Sequence, residues 1–207
     1  DHYFTTLYDL SLTSSTSSAA QNAAKNKKDL KPVDHSKMNY APFRKNFYIV
    51  PRELRDLSNE EVLGMRREMS NIRVRGKGCP PPVKNWIQCG LDDSTLHIIE
   101  GMGYSQPFPI QAQAIPCIMS GKNVIGIAKT GSGKTLAYVL PMISHILDQP
   151  PLQEGDGPIG LIISPTRELA TQIYDELIHF TKPHGLRAVC AYGGASIAEQ
   201  IAALKRG

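Results

Sequence analysis

The residues best suited to do chemistry form one short run, which reads Ala128-Lys129-Thr130-Gly131-Ser132-Gly133-Lys134-Thr135. Its two glycines allow the backbone to curl, so that successive N–H groups can point at phosphate oxygens. A helix that begins directly after the run adds the positive end of its dipole. Lys134 is long enough to reach the β- and γ-phosphates of a nucleotide, and the Thr135 hydroxyl can ligate Mg²⁺. The run therefore predicts a site for a nucleoside triphosphate with Mg²⁺.

A chance Gly/Ser-rich turn is the alternative explanation of this run. The usual phosphate-loop pattern begins with glycine, but Ala128 stands there, so the strict pattern fails by one residue. From ordinary residue frequencies, Gly-x-Gly-Lys-Thr arises by chance roughly once in several hundred chains of this length. The surroundings favour the functional explanation, because an apolar run precedes the loop at 123–128 and a helical pattern follows it.

A second segment lies upstream and ends at a glutamine. It reads Gly103-Tyr104-Ser105-Gln106-Pro107-Phe108-Pro109-Ile110-Gln111 and resembles the Q motif of the DEAD-box RNA helicases. In that family the Gln side chain donates to the adenine edge and accepts from it at once, as an amide group can. The resemblance implies that Gln111 selects ATP and that Tyr104 belongs to the same nucleotide site. Phe108 departs from the family, which more often has Thr at this position.

Trp86 is a further candidate for the nucleotide site. It lies 17 residues before Gly103, where the family places a lone aromatic residue that stacks on the base. The alternative is an ordinary core residue, because large aromatic side chains contribute much of the apolar area that cores bury. Both interpretations stay open on the sequence.

Three further elements follow in the order that the family has them. Residues 128–135 match its AxTGxGKT form of the phosphate loop, which accounts for the missing first glycine. The run at 165–170 is similar to motif Ia, and Gly193-Gly194 is similar to the GG element. The resemblance implies that these two elements hold the RNA sugar-phosphate backbone through Pro165, Thr166, Arg167, Gly193 and Gly194. Taken singly, a structural Arg–Glu pair and a plain turn are the alternatives.

The resemblance covers residues 84–207 for the family at large and reaches further upstream within one subfamily. The runs at 40–48, 76–80 and 86–90 look like those of the pre-mRNA-splicing helicases that act when the branch site is first recognised. This likeness implies that the parent protein is a nuclear, ATP-dependent RNA helicase. Its implied partners are single-stranded RNA or a short RNA duplex, and a spliceosomal ribonucleoprotein.

Several parts of the family pattern are absent from these 207 residues: the D-E-A-D carboxylates, the S-A-T element and a second RecA-like domain with its arginine finger. Glu168, Glu176 and Glu199 are not substitutes, because none follows an apolar strand in the D-E-A-D manner. We therefore interpret the chain as an N-terminal fragment that binds ATP without hydrolysing it at a useful rate. The alternatives are a non-catalytic fragment that binds RNA or nucleotide, and another P-loop NTPase such as a kinase or GTPase.

Alternating strand and helix patterns must position these residues. Short apolar runs at 123–128, 159–164 and 187–191 predict buried parallel strands, and helical patterns lie between them. Pro141 is expected to kink the helix after the phosphate loop, because it removes one backbone donor. The alternation predicts an α/β fold, namely a RecA-like P-loop domain with a truncated parallel sheet, preceded by a partly disordered N-terminal extension.

Composition divides the chain into four parts. Residues 1–39 are expected to be a disordered or weakly ordered extension, because a Ser- and Lys-rich segment buries little apolar surface. Residues 40–83 hold an arm, a short helix with a capping box at Ser58, and a Pro-rich linker. Residues 84–112 carry the Q-motif region, and residues 113–207 carry the partial ATP-binding domain.

Charge and cysteine content exclude few classes of protein. The net charge of +4 suits an RNA partner but is common elsewhere. The four cysteines form no CxxC pair, so we interpret them as lone buried thiols of a reducing compartment. We expect no membrane partner, since the sequence has neither a run of 18 apolar residues nor a signal-peptide pattern. Because the chain begins with Asp1, we expect the natural N-terminus to lie upstream.

Overall fold

A computed structural model describes residues 32–40, 42–153 and 156–205. The chain divides into two compact units, residues 1–41 and residues 42–207. In the first unit, the described residues include a 3-10 turn over His35–Lys37, and its N-cap residue Asp34 accepts a hydrogen bond from the Ser36 N–H. The disordered or weakly ordered extension was predicted over residues 1–39, and residues 1–31 of it lie outside the described residues.

The described residues of the second unit form seven α-helices. Their bounds are α1 Arg52–Arg55, α2 Asn59–Glu68, α3 Asp93–Gly101, α4 Pro109–Met119, α5 Lys134–Leu147, α6 Arg167–Thr181 and α7 Ile197–Leu204. A 3-10 turn over Ile87–Cys89 precedes α3. None of the helices in the described ranges is both long enough and apolar enough to span a membrane.

Side chains cap the starts of four helices. Ser58 accepts the Glu61 N–H, and the Glu61 carboxylate accepts the Ser58 N–H, which confirms the predicted capping box of α2. Asp92 caps α3 by accepting a backbone N–H of its first turn at 2.9 Å. Thr166 and Ser196 cap α6 and α7 in the same way. These bonds satisfy amide groups that a helix start otherwise leaves without partners.

The core lies between α4, α5 and the C-terminal part of α6. Helix α4 packs along α5, α5 packs against α6, and α3 also contacts α6. Helix α5 continues through Pro141 as one element. The large aliphatic and aromatic side chains that these helices bury fully are Ile99, Ile115, Met119, Val139, Leu140, Ile143 and Phe180. Since hydrophobic stabilisation follows the apolar area removed from water, this helical layer is the main source of stability in the described unit.

An arm over residues 42–50 holds the C-terminal ends of α4 and α5. The Phe47 N–H donates to the carbonyl of Met119, the last residue of α4, at 2.6 Å. The Arg44 guanidinium donates to the carboxylate of Asp148 at the end of α5, also at 2.6 Å, and lies 4.2 Å from the centre of the Phe47 ring. The arm predicted within residues 40–83 therefore packs on the ends of these two helices.

The described residues do not confirm the predicted parallel sheet. The segments at 123–128, 159–164 and 187–191 carry no assigned strand, and aliphatic side chains on the first two are exposed, Ile125 at 94% and Ile163 at 85%. An apolar run gives a segment the propensity for a strand. A strand forms only where a neighbouring segment supplies matching N–H and C=O groups, and that neighbour cannot be identified from the run itself.

Candidate functional site

The predicted phosphate loop lies at the start of α5. Gly131 and Gly133 both adopt the left-handed backbone conformation, with φ of 73° and 77°. Glycine reaches this conformation without the steric cost that a Cβ atom imposes. Gly133 is the N-cap residue of α5, so the free N–H groups of the first helical turn lie at the loop. The predicted junction of loop and helix is confirmed.

The Lys134 ammonium folds back onto its own loop. Its Nζ donates to the carbonyls of Ala128 at 2.7 Å and Lys129 at 2.6 Å, and the Ser132 hydroxyl donates to the Lys129 carbonyl at 2.8 Å. The positive charge therefore lies within the loop, against these two backbone carbonyl oxygens. Oxygen atoms hold the ammonium there, which is the kind of partner that a phosphate group supplies.

Gln111 connects the upstream segment to the phosphate loop. Its Oε1 accepts the Phe108 N–H at 2.8 Å, and its Nε2 donates to the Gly133 carbonyl at 2.9 Å. The side chain is only 2% exposed. A Cβ atom at Gly133 would collide with the Gln111 amide and would approach Cδ2 of Phe108 to 2.8 Å, so this position requires glycine for space as well as for φ. The structure thus brings Gln111 to the loop, with both ends of its amide engaged by protein.

Phe108 stands at the N-cap position of α4 and weakens the start of that helix. Phenylalanine has no side-chain acceptor, so only the return half of a capping box is made, by Gln111. The Phe108 ring is 54% exposed and lies beside Gly133. A threonine, the more common family residue, would supply the missing acceptor.

Trp86 lies in the core. It is 7% exposed, and its indole N–H donates to the Tyr104 carbonyl at 2.8 Å. This bond satisfies the polar atom that a buried tryptophan must pair. The position favours the interpretation of Trp86 as a core residue, and its stacking on a base stays a prediction. Tyr104 is 39% exposed, and its backbone is what holds Trp86.

Thr135 follows Lys134 in the first turn of α5 and is partly exposed. Burial raises the pKa of Tyr138 one turn further along α5, and the nearby Thr135 side chain acts in the opposite direction. The described part of the chain contains no group of three or more His, Cys, Asp or Glu side chains that could hold a metal ion. These residues therefore offer Mg²⁺ a hydroxyl oxygen at the loop and no carboxylate cluster.

The two elements predicted to hold RNA lie side by side. Thr166 caps α6, and Arg167 is its first residue. The Arg167 guanidinium lies 4.5 Å from the centre of the Tyr192 ring, in a cation–π contact. Tyr192 directly precedes Gly193-Gly194, and Gly194 has φ of 85°. Pro165 and both glycines are exposed, so the backbone of these loops is open to a ligand.

Two residues of this region were not predicted from the sequence. Gln200 on α7 accepts the Tyr192 N–H and donates to the Tyr192 carbonyl, both at 3.1 Å. The amide thus pairs with the Tyr192 backbone as a neighbouring strand would, and fixes the start of the Gly193-Gly194 turn. The sequence signal for Tyr192 is its position directly before two glycines. Its contact with Arg167 could not be predicted, because the fold brings these two distant residues together.

Comparison with known proteins places this arrangement in a family. A family model described as DEAD/DEAH box helicase matches residues 108–207. A human relative, "Probable ATP-dependent RNA helicase DDX46", is 58% identical over 183 residues, which are 88% of this chain and 18% of that relative. The chain belongs to the DEAD-box helicase family.

A fungal relative and two solved structures agree with this assignment. "Pre-mRNA-processing ATP-dependent RNA helicase prp5" of Sclerotinia sclerotiorum is 57% identical over 189 residues, 91% of this chain and 17% of that relative. The crystal structure of the RNA helicase Prp28 from Chaetomium thermophilum bound to ADP superposes with a TM-score of 0.67 at 37% identity, over 74% of this chain and 37% of that one. The yeast DEAD-box splicing factor Prp28 superposes with a TM-score of 0.68 at 30% identity, with the same coverage.

These structural neighbours are DEAD-box domains of the RecA-like class, and 74% of this chain superposes on each of them. The DEAD-box chain spans less than a fifth of the length of the curated relatives that it matches.

Proposed function

We propose that this chain binds ATP through the phosphate loop and Gln111, and binds the RNA backbone through Arg167 and Gly193-Gly194. The observation that carries the proposal is the hydrogen bond from Gln111 to the Gly133 carbonyl, because it couples the base-reading segment to the phosphate loop. The relatives' names, which describe ATP-dependent RNA helicases, support it. In the longer parent protein we propose an ATP-driven RNA helicase.

Triphosphate binding requires the Lys134 ammonium to exchange partners. It now donates to the Ala128 and Lys129 carbonyls. Phosphate oxygens carry formal negative charge, and charge-assisted hydrogen bonds are roughly twice as strong as bonds between neutral groups. The free N–H groups at the start of α5 supply further donors to the same phosphates. The exchange therefore favours the bound nucleotide.

Adenine selection requires Gln111 to change partners as well. Its amide presents one donor and one acceptor, which complement the N7 acceptor and the N6–H donor of adenine. Guanine presents two acceptors, N7 and O6, at the same edge and leaves the amide oxygen without a partner. We therefore propose that Gln111 first releases the Gly133 carbonyl and then binds the adenine edge. The neighbouring Phe108 ring is 54% exposed, so it can move aside for Gln111 without disturbing the core.

Mg²⁺ belongs to the same proposal. Thr135 offers a partly exposed hydroxyl in the first turn of α5, and Mg²⁺ in such sites keeps several waters and takes its other ligands from phosphate oxygens. The ion would neutralise charge on the phosphates. The single protein oxygen fits an ion that arrives with the nucleotide rather than one held by the protein alone.

Single-stranded RNA or a short RNA duplex is the second ligand that we propose. Pro165, Thr166 and Arg167 would meet the sugar-phosphate backbone at the start of α6, and Gly193-Gly194 would approach it with unobstructed N–H groups. The contact between Arg167 and Tyr192 supports one continuous surface. Because the contacts are to phosphate, affinity should fall steeply with salt and depend little on base sequence.

A role in pre-mRNA splicing, with a nuclear location and a spliceosomal ribonucleoprotein as partner, is proposed from the relatives. Two of them are named for pre-mRNA processing or splicing. The likeness to the first of these extends over 91% of this chain, which includes residues upstream of the family model.

We also propose that the parent protein completes the parallel sheet that the described residues lack. The exposed side chains of Ile125, Ile127 and Ile163 support this, since aliphatic groups that are 85–94% exposed are stabilised when a neighbour covers them. The relatives are much longer than this chain and have sequence from which such a neighbour can come.

Binding without turnover is the expected behaviour of the 207-residue chain. Phosphoryl transfer needs an oriented water and positive charge opposite the γ-phosphate, and a missing arginine finger alone costs on the order of 10³–10⁵ in rate. We would measure ATP binding and phosphate release on the same sample, with and without single-stranded RNA. Lys134→Ala should weaken ATP binding and leave the circular dichroism spectrum unchanged. RNA-stimulated phosphate release that disappears in Lys134→Ala would contradict this part of the proposal.

A further inference from the structure

Two cysteines that are distant in sequence meet in the structure. Cys79 lies in the linker before α3, and Cys117 lies in the last turns of α4. Their Sγ atoms are 2.7 Å apart, and both thiols are free. The interpretation of the cysteines as lone thiols was therefore wrong for this pair, because spacing in the sequence does not show which linker residue packs on which helix.

We propose that Cys79 and Cys117 form an oxidisable dithiol site, in which a hydroperoxide converts the pair to a disulfide that ties the linker to α4. The site is distinct from the phosphate loop and from the RNA loops, so it does not rest on the proposed function. Its geometry, its polar surroundings and the unequal exposure of the two thiols all support this chemistry.

Polar groups from three elements surround the pair. The Gln113 amide donates to Sγ of Cys79 at 3.3 Å and to the Pro80 carbonyl at 3.0 Å. Arg66 of α2 holds that amide by donating to its Oε1 at 2.8 Å. Lys122 stands close to the residue before Cys79, since its Nζ would lie 3.2 Å from a Cβ atom at Gly78. Two cations and one amide donor thus favour a negative sulfur at Cys79.

The two thiols have different roles in this proposal. The hydrogen bond from Cys117 lowers the pKa of Cys79, and the charges of Arg66 and Lys122 act in the same direction against burial. The same bond, followed by burial, raises the pKa of Cys117. Cys79 is half-buried and reachable by a small oxidant, whereas Cys117 is 6% exposed. Cys79 is therefore the thiolate that reacts first, and Cys117 keeps its proton.

The chemistry balances with the hydroperoxide as the only oxidant. With hydrogen peroxide as the hydroperoxide, the Cys79 thiolate attacks one peroxide oxygen, an S–O bond forms, the O–O bond breaks, and the hydroxide that leaves takes a proton from solvent to become water. Sγ of Cys117 then attacks Sγ of Cys79, an S–S bond forms, and the S–O bond breaks. The hydroxide that leaves Cys79 takes the Cys117 thiol proton and becomes a second water. The largest cause of the raised Cys117 pKa is its bond to the Cys79 sulfur, and oxidation of Cys79 removes that cause.

The other two cysteines provide internal controls. Cys89 is fully buried, and burial raises its pKa to about 12, so it should stay unreactive in the folded protein. Cys190 is half-buried like Cys79, but it has no contact with a second thiol among the described residues. Exposure alone would make Cys190 as reactive as Cys79. The pair geometry predicts that Cys79 reacts faster.

The test uses the reduced 207-residue chain treated with a small excess of hydrogen peroxide, alkylated, digested and mapped by mass spectrometry. We expect free thiols to fall from four to two, with one linked peptide that joins Cys79 to Cys117 and is lost on reduction. Cys190→Ala should leave the yield unchanged. Cys79 should be modified at least about tenfold faster than Cys190. Non-reducing gels separate this product from cross-linked dimers.

Two variants separate the roles of the thiols. Cys117→Ala should accumulate a sulfenic acid at Cys79 that dimedone traps, whereas Cys79→Ala should give no such adduct at Cys117. Arg66→Met should slow the oxidation of Cys79 with an unchanged circular dichroism spectrum.

In the wild type, the cross-link should raise the midpoint of thermal unfolding, since it closes a loop in the unfolded chain. Equal reactivity of Cys79 and Cys190, or linked peptides with no preference for Cys79–Cys117, would overturn the proposal.

Discussion

The helical layer of α4 and α5 and the region after α5 contain similar aliphatic residues in very different surroundings. Ile143 of α5 is fully buried against its neighbours, whereas Ile163 in the segment before α6 is 85% exposed. Each lies in an apolar run of comparable strength. The difference is that α4 supplies a surface for α5, and no described segment covers Ile163. Apolar character thus stabilises an element only where its partner surface is present.

This difference also separates the two candidate sites. The phosphate loop is held by the packed helices and by Gln111, so it stands on a self-supporting part of the molecule. The RNA loops are held by α6, α7 and a few polar contacts, of which the Gln200 pair and the Arg167–Tyr192 contact are the main ones. We expect the nucleotide site to bind its ligand in this chain and the RNA site to be weak.

Matched truncations should show the largest difference between the two regions. Ile143→Ala should lower the free energy of unfolding by about 3 kcal/mol, because it leaves a cavity in a packed core. Ile163→Ala should change it by less than about 0.5 kcal/mol, as exposed substitutions do. Urea unfolding followed by circular dichroism measures both. If Ile163→Ala cost as much as Ile143→Ala, residues 159–164 would be covered in solution, and the contrast between the regions would not hold.

Matched glycine substitutions in the phosphate loop test the role of Gln111. Gly131→Ala places a Cβ atom in open space and should cost about 1 kcal/mol for its positive φ alone. Gly133→Ala adds a collision with Gln111 and Phe108, so it should cost about 2 kcal/mol and weaken ATP binding more than Gly131→Ala does. Thermal unfolding measures the loss of stability, and nucleotide titration measures the loss of ATP affinity. Equal effects would mean that the collision is relieved and that Gln111 does not brace the loop.

Substitution of Tyr192 should give the smallest effect, on RNA affinity. Tyr192→Leu removes the ring that holds the Arg167 guanidinium, a contact worth about 1 kcal/mol, whereas Tyr192→Phe keeps the ring and should bind as the wild type does. The measurement is fluorescence anisotropy with single-stranded RNA over a series of salt concentrations. Arg167→Ala should lower affinity for every RNA sequence alike and reduce the salt slope by about 1. If the losses of RNA binding free energy caused by Tyr192→Leu and Arg167→Ala added fully in the variant that carries both, Tyr192 would act independently of Arg167.

Local signals in the sequence were sufficient for the helices and the phosphate loop. The capping box at Ser58, the helix that begins directly after the phosphate loop and the glycines of the loop depend on a few adjacent residues, and the structure confirms them. A helix makes its hydrogen bonds within one segment, so its signal is contained in that segment.

Features that join distant segments could not be predicted in the same way. The predicted strands needed neighbours, the Cys79–Cys117 contact joins residues 38 apart, and the Arg167–Tyr192 contact joins two loops. Trp86 stayed ambiguous because a buried aromatic residue and a base-stacking one have the same sequence signal. The family predicted from the resemblance is confirmed, but the resemblance did not show that both ends of the Gln111 amide are engaged by protein.

Gln111 is the residue on which the proposed function depends most, because it gives the nucleotide site its preference for adenine. Titration of ATP and GTP, each with Mg²⁺, against the wild type and Gln111→Ala tests this claim directly. We expect the wild type to prefer ATP by about 1–3 kcal/mol and the variant to bind the two nucleotides equally, since the paired amide contact is lost. Equal affinities in the wild type, or a preference that survives in Gln111→Ala, would contradict the account.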